Sequence, residues 1–457
     1  MTTEKLPKAD LVLHGHFEKD HERRYAHVPF DMPAGRRQIH IRYSYNDQID
    51  SDPTLVGGNT LDIGLFDERG IAESSAGFRG WSGSEKMEFT IDESWATPPY
   101  RKGKIRAGRW HVLLGPYKVG PRGCDWDVEI WFDPGLRSRW TGVGLSRRVD
   151  PDPLPEARPG WLRGDLHCHT LYSDGDSWPP EMLSAASDAG LDFLGVTDHN
   201  NVGHQLAYGP GGDGLPIVVP GIEVTTYGGH WNAWGTDRWW EFRDPESKAV
   251  ERTIRAAADS GAVVSICHPK PFGPAWEYEG VSGFHAVEVW NGPWAQLNAA
   301  SLAFWESLLR RGYRSVALGG SDTHYLHGRD LGARDADSLG TPTTWVQVGD
   351  RRTVDAILAA LREGRSFVSE SPRGPQLYLE ADHGRAGRVS VEVRGGAGGR
   401  LELATDVASP VVSMVEGDAW DGAFDVPGGA AYVRAQLTSA RGDVRALANP
   451  VWADRLS

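Results

Sequence analysis

The chain has 457 residues, of which 40% are hydrophobic and 24% charged; this is about three domains' worth at ~150 residues each. The composition is that of a folded globular protein and excludes a disordered or fibrous chain. Lys plus Arg number 48 against 62 Asp plus Glu, a net charge of −14, which argues against nucleic acid as the main partner, because phosphate backbones demand a basic footprint.

The start, Met1 to Lys8, lacks the apolar core of a signal peptide. No run of ~18 apolar residues occurs, so no membrane span is expected. Cys124, Cys168 and Cys267 form no Cys-x-x-Cys pair. A reducing, cytoplasmic location is therefore expected. Residues 1–150 read as an all-β domain. Trp126, Val128, Ile130 and Phe132 alternate with polar or outward positions, and Gln38 to Tyr43 and Leu61 to Phe66 are similar short runs. Gly, Pro, Asn and Asp clusters separate them, as in a sandwich. Residues 151–160 hold four prolines and fit neither sheet nor helix interior, so they read as a linker.

Residues 161–370 change pattern: apolar runs end in polar clusters, and helical stretches intervene. Val354, Ile357, Leu358 and Leu361 fall at i, i+3, i+4, i+7 behind Thr353, and Gly364 stands where a C-cap glycine would. Strand–helix alternation predicts an α/β unit around a parallel sheet or barrel. Residues 371–457 return to β: Val389, Val391 and Val393 alternate with Ser390, Glu392 and Arg394. A small C-terminal β domain is expected there.

Five β-type runs of the middle segment end in possible metal ligands. They lead into His167-Cys168-His169, into Asp198-His199, into Glu223, into His268, and into Asp322-Thr323-His324. In a βα barrel the C-terminal strand ends converge on one face. His167 and His169 are i, i+2, so both rings point one way and Cys168 points to the packed side. A second pair, His14 and His16, has no carboxylate partners at matching strand ends and reads as a surface feature.

These motifs resemble a PHP-domain metallohydrolase over roughly residues 161–370: His167-x-His169 followed by Asp174, Thr-Asp198-His199-Asn, Gly-Ile-Glu223-Val, Cys-His268-Pro and Ser-Asp322-Thr-His324. Gly77-Phe-Arg-Gly-Trp-Ser-Gly83, Pro99-Tyr100, Gly115-Pro-Tyr117 and the ending Leu447 to Ala453 look like the carbaryl-hydrolase-like (CehA/McbA) branch. The resemblance implies a distorted (β/α)7 barrel flanked by β-sandwich-like domains, with two or three divalent metal ions. One ion would take His167, His169, Glu223 and Asp322; a second would share Glu223 and take His230 and His268; a third would take Asp174, His199 and His324.

Six imidazoles and three carboxylates suit Zn, Mn or Fe without selecting among them. The expected function is metal-dependent hydrolysis of a small molecule by a metal-bridging hydroxide, with a phosphoester as the first choice. A carbamate, ester or amide is the alternative, as the flanking fragments suggest. A non-catalytic metal-binding module is the third reading. Asp198 is expected to orient a ligand rather than act as an acid. Lys270 and Arg329 are candidate clamps for an oxyanion. Trp231, Trp234, Trp239, Trp240, Trp290 and Trp294 read as core packing.

Overall fold

The computed structural model describes residues 6–138, 154–208, 214–271, 275–327, 339–382 and 384–456. The N-terminal unit holds β1 (Leu11–Phe17), β2 (Ala26–Met32), β3 (Gln38–Tyr45), β4 (Thr60–Phe66), β5 (Phe78–Gly83), β6 (Glu88–Asp92), β7 (Gly108–Lys118) and β8 (Cys124–Phe132). They form two four-stranded antiparallel sheets, ordered β1-β8-β3-β6 and β2-β7-β4-β5. The alternation read in the sequence places Trp126, Val128 and Ile130 in the core between the sheets, with Ile39, Ile41, Leu61, Ile63 and Leu65.

Strand β4 is buried along its whole length, and the period of two explains why. Leu61, Ile63 and Leu65 fill the sandwich core. Asp62, Gly64 and Phe66 share the opposite face, which docks on the rest of the chain. There Phe66, Phe78, Trp81 and Leu113 join one apolar cluster with Ile222, Val224, Trp231, Trp239 and Phe242. Burying side chains of this size contributes on the order of 1.5–3 kcal/mol each.

The middle unit runs β9 (Trp161–Asp165), α1 (Pro179–Asp188), β10 (Phe193–Val196), β11 (Ile217–Thr226), β12 (Gly229–Trp234), α2 (Ser247–Asp259), β13 (Val263–Ile266), β14 (Ala286–Asn291), α3 (Asn298–Arg310), β15 (Val316–Gly320), β16 (Thr343–Gln347), α4 (Val354–Glu363) and β17 (Ser366–Ser369). Strands β9 to β15 lie side by side in sequence order. The two ends of this run meet beyond Asp165 and Gly320. Cys168 bridges Thr323 in parallel, with His169 N donating to Thr323 O at 2.9 Å and Asp322 N to His167 O at 2.8 Å. Strand β12 runs antiparallel to both neighbours, because only Tyr227 and Gly228 connect it to β11.

The chain is mostly sheet, with four α-helices among the described residues. Regular strand–helix alternation is therefore only partly realised: α1, α2 and α3 each fill one connection, whereas β11–β12 is a tight hairpin and a short 3-10 turn (Gly203–Leu206) follows β10. Helix α4 forms as its periodicity predicts. Thr353 caps it by accepting from Ala356 N at 3.2 Å, Ile357, Leu358 and Leu361 are buried, and Gly364 ends it at φ 70°. A cap of this kind contributes about 1 kcal/mol.

The remaining strands are β18 (Gln376–Ala381), β19 (Arg388–Arg394), β20 (Arg400–Thr405), β21 (Val411–Met414), β22 (Ala419–Asp425), β23 (Tyr432–Thr438), β24 (Val444–Ala448) and β25 (Val451–Trp452). Strands β18, β19 and β22 form a separate three-stranded sheet. Strands β20, β21, β23, β24 and β25 instead continue the central sheet, because β17 pairs with β16 on one edge and β24 on the other. One sheet thus crosses from residue 370 to 371. No helix among the described residues is long and apolar enough to cross a membrane. Of the linker segment 151–160, residues 154–160 are described and carry no regular element.

Candidate metal centre

The strand directions explain why distant residues meet. Strands β9, β10, β11, β13, β14 and β15 form parallel pairs within the run, so their C-terminal ends open on one rim. His167 and His169 follow β9, His199 follows β10, Glu223 lies in β11, His268 follows β13, and Asp322 and His324 follow β15. The hairpin brings the beginning of β12 to the same rim. Thr225 stands opposite His230 in that pair, and His230 Nδ1 lies 3.0 Å from Glu223 Oε1.

Glu223 is the hub. Its Oε2 is 3.4 Å from both His167 Nε2 and His169 Nε2 and 2.8 Å from His199 Nδ1. Its Oε1 is 3.3 Å from His268 Nε2. Asp322 Oδ1 lies 3.4 Å from His167 Nε2 and 3.1 Å from His169 Nε2. Asp174 Oδ1 lies 3.6 Å from His199 Nε2 and 3.3 Å from His324 Nε2. All nine sequence-derived candidates are thereby brought together. His14 is exposed on β1, and His16 faces Asp125 at 2.7 Å, far along the chain from this cluster.

The donor set fits divalent ions. Four buried atoms, His167 Nε2, His169 Nε2, Asp174 Oδ1 and Glu223 Oε2, have no hydrogen-bond partner. Leaving buried polar atoms unpartnered costs about 1–3 kcal/mol each; a cation beside His167 Nε2, His169 Nε2 and Glu223 Oε2, and another beside Asp174 Oδ1, would satisfy them. Ligand atoms of His169, Asp174, His199 and His324 all lie within 4.8 Å of one another, as do those of His167, His169 and Asp322, and those of His199, Glu223 and His230. Two of the candidates, His268 at φ 27° and Asp322 at φ 56°, occupy the left-handed region, which non-glycine residues adopt at a cost on the order of 1–3 kcal/mol.

Hydrogen bonds fix which ring nitrogen faces the centre. His167 Nδ1 donates to Glu288 Oε1 at 2.8 Å, leaving Nε2 with a lone pair. His169 Nδ1 lies 3.3 Å from Ser173 Oγ, whose hydroxyl donates to Asp198 Oδ1 at 2.7 Å. Asp198 also accepts from Thr170 N and Thr170 Oγ1, each at 2.7 Å, and lies 3.0 Å from His204 Nδ1. It is fully buried and acts on the site through Ser173 and His169. Burial alone would raise its carboxyl, but His204 overrides this and holds it at about 2. Burial likewise opposes the charge on Glu223, yet His167, His230 and His199 keep it well below the usual carboxylate range. Burial, with His324 and His199 beside it, lowers His169 to about 4, so it stays neutral as a ligand must.

Lys270 is buried and donates to Asn291 O at 3.0 Å and Asn291 Oδ1 at 3.1 Å. Asn291 Nδ2 in turn donates to Glu288 Oε2 at 3.2 Å, so Lys270 braces the wall that carries Glu288. Arg329 lies outside the described residues. The tryptophans named above pack in the core, Trp231, Trp239 and Trp240 in one cluster, Trp234 in another and Trp290 in a third, with Trp294 packed against the last.

Glu288 escaped the sequence reading. Its signal was a carboxylate inside the apolar strand Ala286-Val-Glu-Val-Trp, where burial demands a partner. Cys267 was likewise passed over; its sulfur lies with His167 and Glu223 in a group spanning no more than 4.8 Å, and burial pushes its thiol up. Glu288→Gln removes the anionic acceptor of His167, and metal affinity should fall by about 10–100-fold. Metal titration of the purified variant checks this; unchanged affinity would sink the assigned role.

A cavity of about 330 Å³ opens on this cluster. One wall carries Asp174, His199, Thr225 and His230; the other is built by the N-terminal sandwich and includes Asp62, Trp81, Ser82, Gly83 and Tyr117. The sequence fragments 77–83 and 115–117 therefore end at the mouth of the candidate site.

Residues 165–258 match the model of the PHP domain. That segment holds six of the nine candidate ligands, His167, His169, Asp174, His199, Glu223 and His230. No curated protein matches the chain. Among solved structures, the chain is similar to a two-domain protein containing a predicted PHP-like metal-dependent phosphoesterase from Bacteroides vulgatus, at 16% identity over 69% of this chain and 100% of that one, with a TM-score of 0.37. It is also similar to a candidate metal-dependent phosphoesterase from Bifidobacterium adolescentis, at 17% identity over 43% of this chain and 95% of that one, with a TM-score of 0.28.

Proposed function

We propose that this chain is a metal-dependent phosphoesterase acting on a small molecule. In this reading residues 161–370 form a distorted (β/α)7 PHP barrel, between an N-terminal β domain (1–150) and a C-terminal one (371–457). The observation that carries it is the set of four unpartnered buried ligand atoms, on His167, His169, Glu223 and Asp174, in a cluster that borders an open cavity. His167, His169, Glu223 and Asp322 would hold one ion, Glu223 with His230 and His268 a second, and Asp174, His199 and His324 a third. Zn, Mn or Fe ions there would supply Lewis-acid activation of water and neutralise charge on the ester.

The protein's own residues supply the rest. Glu288 and Asp198 fix the tautomers of His167 and His169, the latter through Ser173, so both present lone pairs inward. Glu223 spans the imidazoles of four strand ends and sets their separation. The sandwich wall of Trp81, Ser82 and Tyr117 limits access, and a cavity of about 330 Å³ suits a small molecule.

The second reading is hydrolysis of a carbamate, ester or amide. It is favoured by the position of fragments 77–83 and 115–117, which resemble the carbaryl-hydrolase-like branch and lie on the cavity wall. A parallel screen of purified protein on phosphomonoesters, phosphodiesters and aryl carbamates, with added Mn²⁺, Zn²⁺ or Fe²⁺, decides between them. Phosphoester turnover, inhibited by inorganic phosphate or vanadate, is expected. Turnover of aryl carbamates alone, indifferent to phosphate, would establish the second reading.

A further inference from the structure

Asp62 is a buried acid that the metal site does not use. It sits on the docking face of β4, is 6% exposed, and accepts one hydrogen bond, from Tyr227 OH at 2.7 Å. Among the described residues it has no ion-pair partner. Tyr227 is held in place by stacking between Tyr25 and Tyr117, with ring centroids 5.0 and 5.3 Å away. Gly115 leaves room for this arrangement: a Cβ there would fall 2.2 Å from the Tyr227 hydroxyl. The Gly-Pro-Tyr fragment thus has a physical task, which is to let Tyr227 reach Asp62.

Asp62 lines the same cavity as the candidate ligands Asp174, His199 and His230. No lysine or arginine is among the described residues lining that cavity. Of its other carboxylates, Asp50, Asp52 and Glu85 are exposed, and Asp174 belongs to the ligand cluster. An ester oxygen leaving toward the sandwich wall therefore meets one buried carboxyl.

We propose that Asp62, carried by the N-terminal sandwich, is the general acid that protonates the leaving oxygen of the ester. The proposal rests on the phosphoester reading. In the step, a water gives up a proton to solvent, and the resulting hydroxide adds to phosphorus and makes one P–O bond. The ester P–O bond breaks, and its electron pair stays on the leaving oxygen. That oxygen takes the Asp62 proton, giving a free alcohol, inorganic phosphate and the Asp62 carboxylate. Solvent water then returns a proton to Asp62.

The electrostatics agree with this assignment. Burial pushes the Asp62 carboxyl up to about 7, against the Tyr227 hydrogen bond and the nearby His199. The other titratable groups that feel its charge are the phenols of Tyr25, Tyr43, Tyr45 and Tyr117. A carboxyl poised near neutrality is suited to give and regain a proton.

The test compares metal-loaded wild type with Asp62→Asn on p-nitrophenyl phosphate, phenyl phosphate and n-butyl phosphate. Nitrophenolate leaves without a proton, and butanol does not. The variant should lose about 100-fold or more on butyl phosphate, a much larger loss than on the nitrophenyl ester. Asparagine keeps the shape and the acceptor for Tyr227, and metal content measured on the same sample reports an intact site. Infrared spectra of the loaded protein should show a protonated-carboxyl band near neutral pH that Asp62→Asn lacks. Equal losses on all three esters, or no such band, overturn the assignment while leaving the phosphoester reading in place. A wild type inert on these three monoesters overturns the proposal, and one inert also on the phosphodiesters of the screen removes the phosphoester reading.

Discussion

Glu223→Gln is expected to lose nearly all turnover and to bind metal far less tightly, with the fold retained. The side chain is 1% exposed and touches His167, His169, His199, His230 and His268. A carboxylate between two ions fixes their separation, for which two-metal sites need ~3.5–4 Å. Glutamine preserves the shape but loses the charge, and its amide end cannot ligate as an anion. The loss should exceed the about 10–100-fold typical of a residue one step removed from the metal. Circular dichroism first establishes that the variant is folded. Elemental analysis and the best ester from the screen then measure the effect. Near-normal turnover with normal metal content would mean that Glu223 only braces the rim.

The unchanged protein is expected to bind at least two ions per chain, and the double change His167→Ala with His169→Ala should lower that number. Both rings are fully buried, and both carry Nε2 atoms with no protein partner. Alanine removes two ligands and takes from Glu223 and Asp322 part of the imidazole charge that offsets theirs, leaving His199, His230 and His268 beside Glu223 and His324 beside Asp322. Burial would then push both upward and further weaken cation binding at neutral pH. Changing His14 and His16 to alanine is the control. These residues share the His-x-His spacing but stand on exposed positions of β1, and metal content should not move. Equal metal in the two double variants would refute the assignment.

The comparison of these two His-x-His pairs shows what a sequence can reveal. Spacing alone did not separate them; the polar ends of four other apolar runs did. Ligands at strand ends were legible because a parallel arrangement gathers such ends, whatever their separation along the chain. His230 was harder, since its placement depends on β12 turning back as a hairpin. The tight Tyr227-Gly228 turn decides that, and it also breaks the regular strand–helix alternation. Residues that act through another residue were the least legible. Lys270 donates to the carbonyl and side-chain amide oxygens of Asn291 and to the side-chain oxygen of Asn298, none of which leaves a pattern in the sequence. Asp62 lies about a hundred residues before the first ligand, and its relevance depends on how the N-terminal sandwich docks against the strand ends of the middle unit. What could have marked it is a carboxylate amid Leu61, Ile63 and Leu65 in a strand buried on both faces.

The pairing of β17 on both edges carries a consequence for how this protein can be divided. Phe367 and Val368 are buried between β16 and β24, so the boundary near residue 370 is a seam within a continuous sheet. A fragment that stopped there would present a bare row of amides and carbonyls along β17, with apolar side chains on its faces. Such an edge invites pairing with another copy of itself. The C-terminal strands thus act as a permanent cover for the edge of β17, and recombination that shuffles one part without the other would uncover an adhesive edge.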